Sequence, residues 1–150
     1  MPTTTFAGPV KAGGISTSTG NILGENVANQ GFAKMVQVAA VTEVADDPSW
    51  TDIVIPANSQ IVRIAVLVTT AFNNQGNVGI SGDVDYYVDG LVLTSLGLSE
   101  VLGVDTAHVD QWKNTGDSDS HLTWYSPTGG GDPGVGTLIV EYVQNNNLTA

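Results

Sequence analysis

The clearest pattern of apolar and polar positions lies at residues 60–70. Four branched apolar residues recur there at a period of two and would share one face: Val62, Ile64, Val66 and Val68. This period predicts a β-strand with one buried face. A shorter strand at 51–55 precedes it, and a tight Pro/Asn turn at 56–59 connects the two. Two strands joined in this way predict an antiparallel hairpin.

Similar patterns predict further strands along the chain. A β-branched run at 34–42 and a short segment at 78–81 both indicate strands, as do the alternating segments 121–125 and 137–143. A strand is also predicted near Trp112, at 108–113. Residues 83–102 are compatible with strand pieces or a short helix, because glycines interrupt either pattern. Seven or eight short strands with turns at roughly 8–12-residue intervals predict an all-β, antiparallel β-sandwich, jelly-roll or immunoglobulin-like.

The composition changes near residue 32. Residues 1–32 are rich in Thr, Gly, Ser and Asn, and their few apolar residues lack helical spacing, which indicates an extended N-terminal arm. Residues 33–144 are predicted to form the sandwich domain. Residues 145–150, which begin with three asparagines, are predicted to be a C-terminal tail.

The charge balance excludes several functional classes. Four Lys and Arg against 15 Asp and Glu give a net charge of −11, so nucleic acid is not an expected partner. The absence of cysteine excludes disulfides, zinc–thiolate sites and cysteine nucleophiles. The longest apolar run, at 64–68, is far shorter than the roughly 20 residues of a membrane span, so no membrane association is expected. No secretion signal is recognisable, which predicts synthesis in a cytoplasm.

Two glycine- or aspartate-containing segments resemble binding motifs. Residues 129–134 match G-x-G-x-x-G, but a strand follows instead of a helix, so a hairpin loop is the better interpretation. The segment containing Asp83, Asp85 and Asp89 resembles an acidic calcium loop, although it lacks the glycine and glutamate of an EF-hand. A looser divalent-ion site and plain solvated or ion-paired carboxylates, with Arg63 or a lysine as partner, both remain open at this stage.

No catalytic constellation emerges from the remaining residues. His108 and His121 are the candidates for a general base near neutral pH, yet both are predicted at strand edges and no nucleophile motif accompanies them. We therefore expect a protein that is not an enzyme, with no catalytic, cofactor-binding or metal-binding residue to assign. The aromatic residues suit either core packing or a sugar-binding platform. Buried Trp112 and Trp124 would favour a scaffold, whereas an exposed aromatic row would favour sugar binding.

The order of the segments resembles a known class of proteins. The resemblance is carried by Gly8–Gly13, Val36–Val41, Ile53–Ile61, Val66–Phe72, Asn77–Ile80 and Gly134–Tyr142. In this order they are similar to small structural proteins of tailed bacteriophage virions, especially the head decoration (cement) type. The resemblance covers about residues 8–144 and carries no catalytic residue.

The resemblance implies a role at the virion surface. A decoration protein lies on the outer capsid surface and bridges neighbouring major capsid subunits, often as a homotrimer. The implied partners are therefore the major capsid protein and further copies of the chain. Residues 1–32 would be the contact with the capsid, unless they pack on their own sandwich. The alternative is a phage fibre, tail or adhesin module that binds surface glycans.

Overall fold

The computed structural model describes residues 34–44, 47–101 and 107–143. The predicted arm at 1–32 and the predicted tail at 145–150 lie outside these residues, and both stay predictions. The described residues form eight strands and one short helix: β1 (Lys34–Thr42), β2 (Ser49–Ile55), β3 (Gln60–Thr70), β4 (Gly76–Ile80), β5 (Asp83–Leu91), β6 (Gly97–Glu100), α1 (Val109–Lys113), β7 (Ser120–Tyr125) and β8 (Val135–Val143).

The strands form two antiparallel four-stranded sheets. The first sheet has the order β1-β8-β3-β6, and the second has the order β2-β7-β4-β5. Four of the pairs are nested, because β1 pairs with β8, β2 with β7, β3 with β6, and β4 with β5. The eight strands thus follow the course of one long hairpin. Its strand pairs, taken in order from β1–β8 to β4–β5, belong alternately to the first and the second sheet. This is the jelly-roll arrangement, and the predicted all-β sandwich is confirmed.

The predicted hairpin between β2 and β3 is wrong, because these strands belong to different sheets. The turn between them crosses from one sheet to the other and bonds to the loop before β7. Its Asn58 adopts the left-handed conformation (φ 55°) and donates its N–H to the carbonyl of Gly116 at 2.7 Å. The Thr115 hydroxyl accepts the N–H of Ser59 at 3.1 Å and lies 3.1 Å from the Pro56 carbonyl. These non-local bonds fix the crossover, and sequence spacing does not reveal them.

The strand predicted around Trp112 is the helix α1. This helix has Asp110 in its first turn and Lys113 in its last, the charge order that the helix dipole favours. Trp112 anchors it by donating its indole N–H to the Tyr87 carbonyl at 2.7 Å. One turn with one buried residue shows no periodicity, so the pattern could not distinguish it from a strand. Among the described residues, no helix is long and apolar enough to cross a membrane.

The core lies between the two sheets. Strand β8 alternates as predicted, with Leu138, Val140 and Tyr142 buried. Strand β3 departs from its predicted alternation at its start, because a register shift between Ile61 and Arg63 changes the phase of the strand. Ile61 is consequently buried, and Val62 is 49% exposed. A bulge of this kind moves side chains to the other face without changing the sequence pattern.

Trp124 of β7 is the largest fully buried side chain. Its indole N–H donates to the carbonyl of Thr42 at 2.9 Å, and its ring meets Phe72 edge to face at 5.9 Å between centroids. A Cβ on Gly76 would lie 2.3 Å from this indole, so glycine is required there by packing. Trp112 and Trp124 are both core residues, as the scaffold interpretation of the sequence expects, whereas Trp50 is exposed.

Candidate interaction surface

The outer side of the first sheet carries a cluster of exposed aliphatic side chains. Side chains of successive strand residues point to opposite faces, so the neighbours of the buried residues face outward. Val36 and Val38 on β1 are 52% and 59% exposed, Leu67 on β3 is 43% exposed, and Leu98 on β6 is 53% exposed. These four residues and the half-buried Ile139 of β8 are called the apolar face below.

The strand register brings these residues together. Val38 lies opposite Ile139 on β8, and Leu67 of β3 lies opposite Leu98 of β6. Cross-strand neighbours lie about 4.5–5.5 Å apart, so they form neighbouring rows on the sheet. A group of exposed aliphatic side chains on one face of a sheet is a candidate site of interaction with another macromolecule.

A row of ion pairs crosses the same side of the sheet. Lys34 Nζ lies 2.7 Å from Glu141 Oε2, Arg63 Nη1 lies 3.3 Å from Glu141 Oε1, and Arg63 Nε lies 2.7 Å from Glu100 Oε2. Each of the four strands contributes one member, so positive and negative charges alternate across the sheet. The carboxylate of Glu141 therefore sits between two cations. The partners of Arg63 are Glu100 and Glu141, and not the aspartates at 83–89.

The ion pairs shift the ionisation of their members. The hydrogen bond from Lys34, opposed by desolvation and aided by the bond from Arg63, holds the pKa of Glu141 below its ordinary value. The hydrogen bond to Glu100 raises the pKa of Arg63. Glu141 and Arg63 are therefore held in their charged forms, and the row pairs two basic with two acidic side chains.

The two sheets differ sharply in charge. In the first sheet the charged residues are two cations and two anions, Lys34, Arg63, Glu100 and Glu141. The second sheet contains four aspartates and no Lys or Arg: Asp52, Asp83, Asp85 and Asp89. The strands of the first sheet therefore carry no net formal charge, although the whole chain carries −11. Like-charge repulsion between copies is weaker at these strands than at those of the second sheet.

The three aspartates of the proposed ion loop lie on strand β5. Asp83 and Asp85 are neighbours on one face, and a hydrogen bond between their carboxyl groups, aided by desolvation, raises the pKa of Asp83. Asp89 lies further along β5, beyond the irregular register opposite Val78 and Ile80 of β4. Among the described residues, no group of three or more potential ligands could hold a metal ion.

The two histidines lie on different elements. His108 precedes α1 as its N-cap and not a strand, so its predicted strand-edge position is wrong. His121 lies in β7, where its ring stands at 82° to that of Trp50, with 6.2 Å between centroids.

The glycine-rich segment 129–134 connects strands of different sheets, so it is not a hairpin loop. A Cβ on Gly129 would lie 2.3 Å from Cβ of Asn73, and the Asn73 side chain also donates to the carbonyl of Asp132 at 3.2 Å. Asn73 is held in turn by Glu43, whose Oε2 accepts its side-chain amide at 3.0 Å and whose Oε1 accepts its backbone N–H.

Glu43 is a buried carboxylate that sequence reasoning missed, because nothing in the pattern at the end of β1 distinguishes it. Burial raises its pKa, but the hydrogen bonds from Asn73 and from Gly134 and Asn74 outweigh burial, so the pKa lies below its ordinary value. The charged carboxylate thus ties together the end of β1, the segment after β3 and the glycine-rich crossover. Its role is structural.

Comparison with known proteins yields a similarity of fold. No protein-family model matches the chain. No curated protein sequence matches it. A solved structure, a chain from the cyanophage Pam1 capsid asymmetric unit, is similar over 95% of this chain and 99% of its own length, with a TM-score of 0.50 and 13% sequence identity. At this identity the likeness concerns the fold alone.

Proposed function

We propose that the chain is a non-enzymatic structural protein of a phage virion, which decorates the outer capsid surface and bridges neighbouring major capsid subunits. The observation that carries the proposal is the neutral apolar face on a chain of net charge −11. The likeness in fold to a chain of a cyanophage capsid asymmetric unit supports it. So does the order of segments, which resembles decoration proteins.

In this proposal the apolar face joins copies of the chain into a homotrimer. Burying Val36, Val38, Leu67 and Leu98 between copies removes exposed aliphatic surface from water. The ion pairs that cross the face are already satisfied within one copy, so association leaves no charge unpaired. A stable interface of this kind buries about 1,600 Å² in total, which the face and its surroundings would have to supply.

The contact with the capsid is assigned to residues 1–32. A polar arm of this composition can order on binding and add to the edge of a partner's sheet. Three arms on one trimer would reach neighbouring capsid subunits at once, and the linked contacts would raise the overall affinity. A protein that binds only the assembled shell stabilises that shell by mass action, which opposes the outward pressure of packaged DNA.

The test is co-sedimentation of the full chain with capsids of its parent virus, stripped of accessory proteins. We expect saturable binding at a fixed ratio of copies per capsomer. A variant lacking residues 1–32 should fold normally, as judged by its near-ultraviolet circular dichroism, and should fail to sediment with the capsids. A sample without capsids is the control for aggregation.

The two parts of the proposal fail in different ways. Failure of the well-folded full chain to bind any capsid preparation would refute the decoration role. Unchanged capsid occupancy by the truncated chain would refute the role of the arm and leave the decoration role in place.

A further inference from the structure

A cleft of about 600 Å³ opens on the side of the molecule that carries the second sheet. Its lining includes three aromatic residues, Trp50 of β2, Tyr86 of β5 and His121 of β7, and the loop before β7 with Asp117, Ser118 and Asp119. This volume falls within the range of about 300–1,000 Å³ that holds small organic ligands. The cleft has no part in the apolar face, which belongs to the first sheet.

Trp50 is exposed to solvent, unlike the other two tryptophans. Its side chain is 61% exposed, whereas Trp112 is 7% exposed and Trp124 is fully buried. His121 contacts its ring at a near-perpendicular angle, which restricts the orientation of the indole. A large aromatic ring left in water beside a cleft presents a flat apolar surface to a ligand.

The polar wall of the cleft is held in place by hydrogen bonds to its surroundings. Asp119 Oδ1 accepts the N–H of Ala57 at 3.0 Å, and the hydroxyl of Ser120 lies 2.8 Å from that of Tyr87. At the start of the loop, Asn114 Oδ1 accepts the N–H of Gly116 at 2.9 Å. The second carboxylate oxygen of Asp119 and the exposed side chains of Asp117 and Ser118 are thus presented from a fixed backbone. Such preorganisation lowers the entropic cost of binding.

The combination of groups selects the chemistry of the ligand. The lining contains two aspartates and no Lys or Arg, so it disfavours anions. A flat aromatic ring together with several hydroxyl and carboxylate groups in one lining suits a molecule with an apolar face and a hydroxyl-bearing edge. We infer that the cleft binds a neutral sugar residue of a glycan, stacked on Trp50, with its hydroxyl groups donating to Asp117 and Asp119.

The test uses the full chain and defined carbohydrate probes. The protein is screened on an array of neutral, amino-sugar and acidic oligosaccharides, and the neutral hits are titrated by calorimetry. Trp50→Ala should weaken binding at least tenfold, whereas Trp50→Phe, which retains an aromatic face, should recover part of it. Asp117→Asn should weaken binding by a smaller factor, because an amide still accepts hydrogen bonds. Leu96→Ala, at a 70% exposed residue outside the cleft, is the matched surface control and should bind as the unmodified chain does.

Three results would overturn the inference. One is the absence of binding to any neutral oligosaccharide by the folded chain. Another is neutral-glycan binding that Trp50→Ala leaves unchanged, since that would place the site elsewhere. The third is binding of a lysine-rich peptide, lost in Asp117→Asn, without binding of neutral sugars, since that would make the cleft a cation site. Thermal unfolding of each variant checks the fold, and capsid co-sedimentation of Trp50→Ala keeps this inference separate from the decoration role.

Discussion

Replacing Val36 and Val38 by threonine should weaken self-association without destabilising the monomer. Both side chains lie on the outer side of β1 and are already more than half exposed in the single chain. Threonine is also β-branched and favours strands, so the substitution preserves backbone preference and shape. Each substitution replaces one methyl group by a hydroxyl group. This lowers the free energy gained when the side chain is buried in the assembly, and it leaves the monomer unaffected.

The magnitude follows from the exposed fractions. Full burial of a valine side chain is worth about 1.5–3 kcal/mol, so burying the remaining half, given exposures of 52% and 59%, contributes roughly 1 kcal/mol per residue. Loss of most of that contribution at two positions is about 2 kcal/mol for each copy. A change of this size raises the apparent dissociation constant per copy about thirtyfold.

The assay is sedimentation equilibrium over a range of protein concentrations, with light scattering as an independent measure of mass. Val109→Thr is the matched control, because Val109 is 45% exposed on α1 and outside the apolar face. Added salt should strengthen association of the unmodified chain, since it screens the net charge of −11 while the apolar contact is unaffected.

Three outcomes would refute the reasoning. In the first, the double variant associates as strongly as the unmodified chain. In the second, the Val109→Thr control is weakened to the same extent. An unmodified chain that stays monomeric at every concentration would show that the face does not join copies of this chain.

The remaining predictions concern stability. Glu43→Gln should lower the free energy of unfolding by about 1–2 kcal/mol at neutral pH, measured with urea, because Asn73 bonds to a charged carboxylate. The pKa of Glu43 is depressed below 4.5 in the folded state, so its contribution is present above that pH and is lost as the pH falls through the folded-state pKa. The unmodified chain should therefore lose more stability in acid than the variant, and equal losses would contradict this. Gly76→Ala should cost about 1–3 kcal/mol by forcing a Cβ against Trp124, and an unchanged melting temperature would show that the core can rearrange.

The alternation of apolar and polar residues correctly predicted the strands that bury one face along their whole length. β8 alternates without interruption, and Leu138, Val140 and Tyr142 are buried at the period of two that the sequence predicts. The bounds of β3 were predicted correctly, but the inward-facing residues at its start were not. The register shift beside Arg63 arises from the pairing of β3 with β8, which the sequence of β3 alone does not show. α1 was mistaken for a strand because it is a single turn held by one tryptophan.

The local sequence pattern could not predict which distant strands pair with each other. β2 and β3 are adjacent in sequence and separated only by a tight turn, yet they join different sheets. The choice is made by non-local bonds such as that from Asn58 to Gly116. The same reason hid the ion-pair row, whose members are far apart in sequence, with Lys34 and Glu141 separated by 107 positions. Three aspartates close in sequence suggested one site, whereas no group of three or more potential metal ligands lies together among the described residues.

The placement of charge and apolar surface gives the strongest reason to expect a partner at the first sheet. Among the described strands, β1 lies at the edge of the first sheet; it has nine residues without proline, and its valines are exposed. Edge strands of this kind promote unwanted pairing, and proteins usually protect them with charge or cover. Here the aspartates are concentrated on the second sheet, and the net charge of −11 keeps free copies apart. An approach through the first sheet meets less of that repulsion than an approach through the second, so the arrangement favours contact at this face over general aggregation.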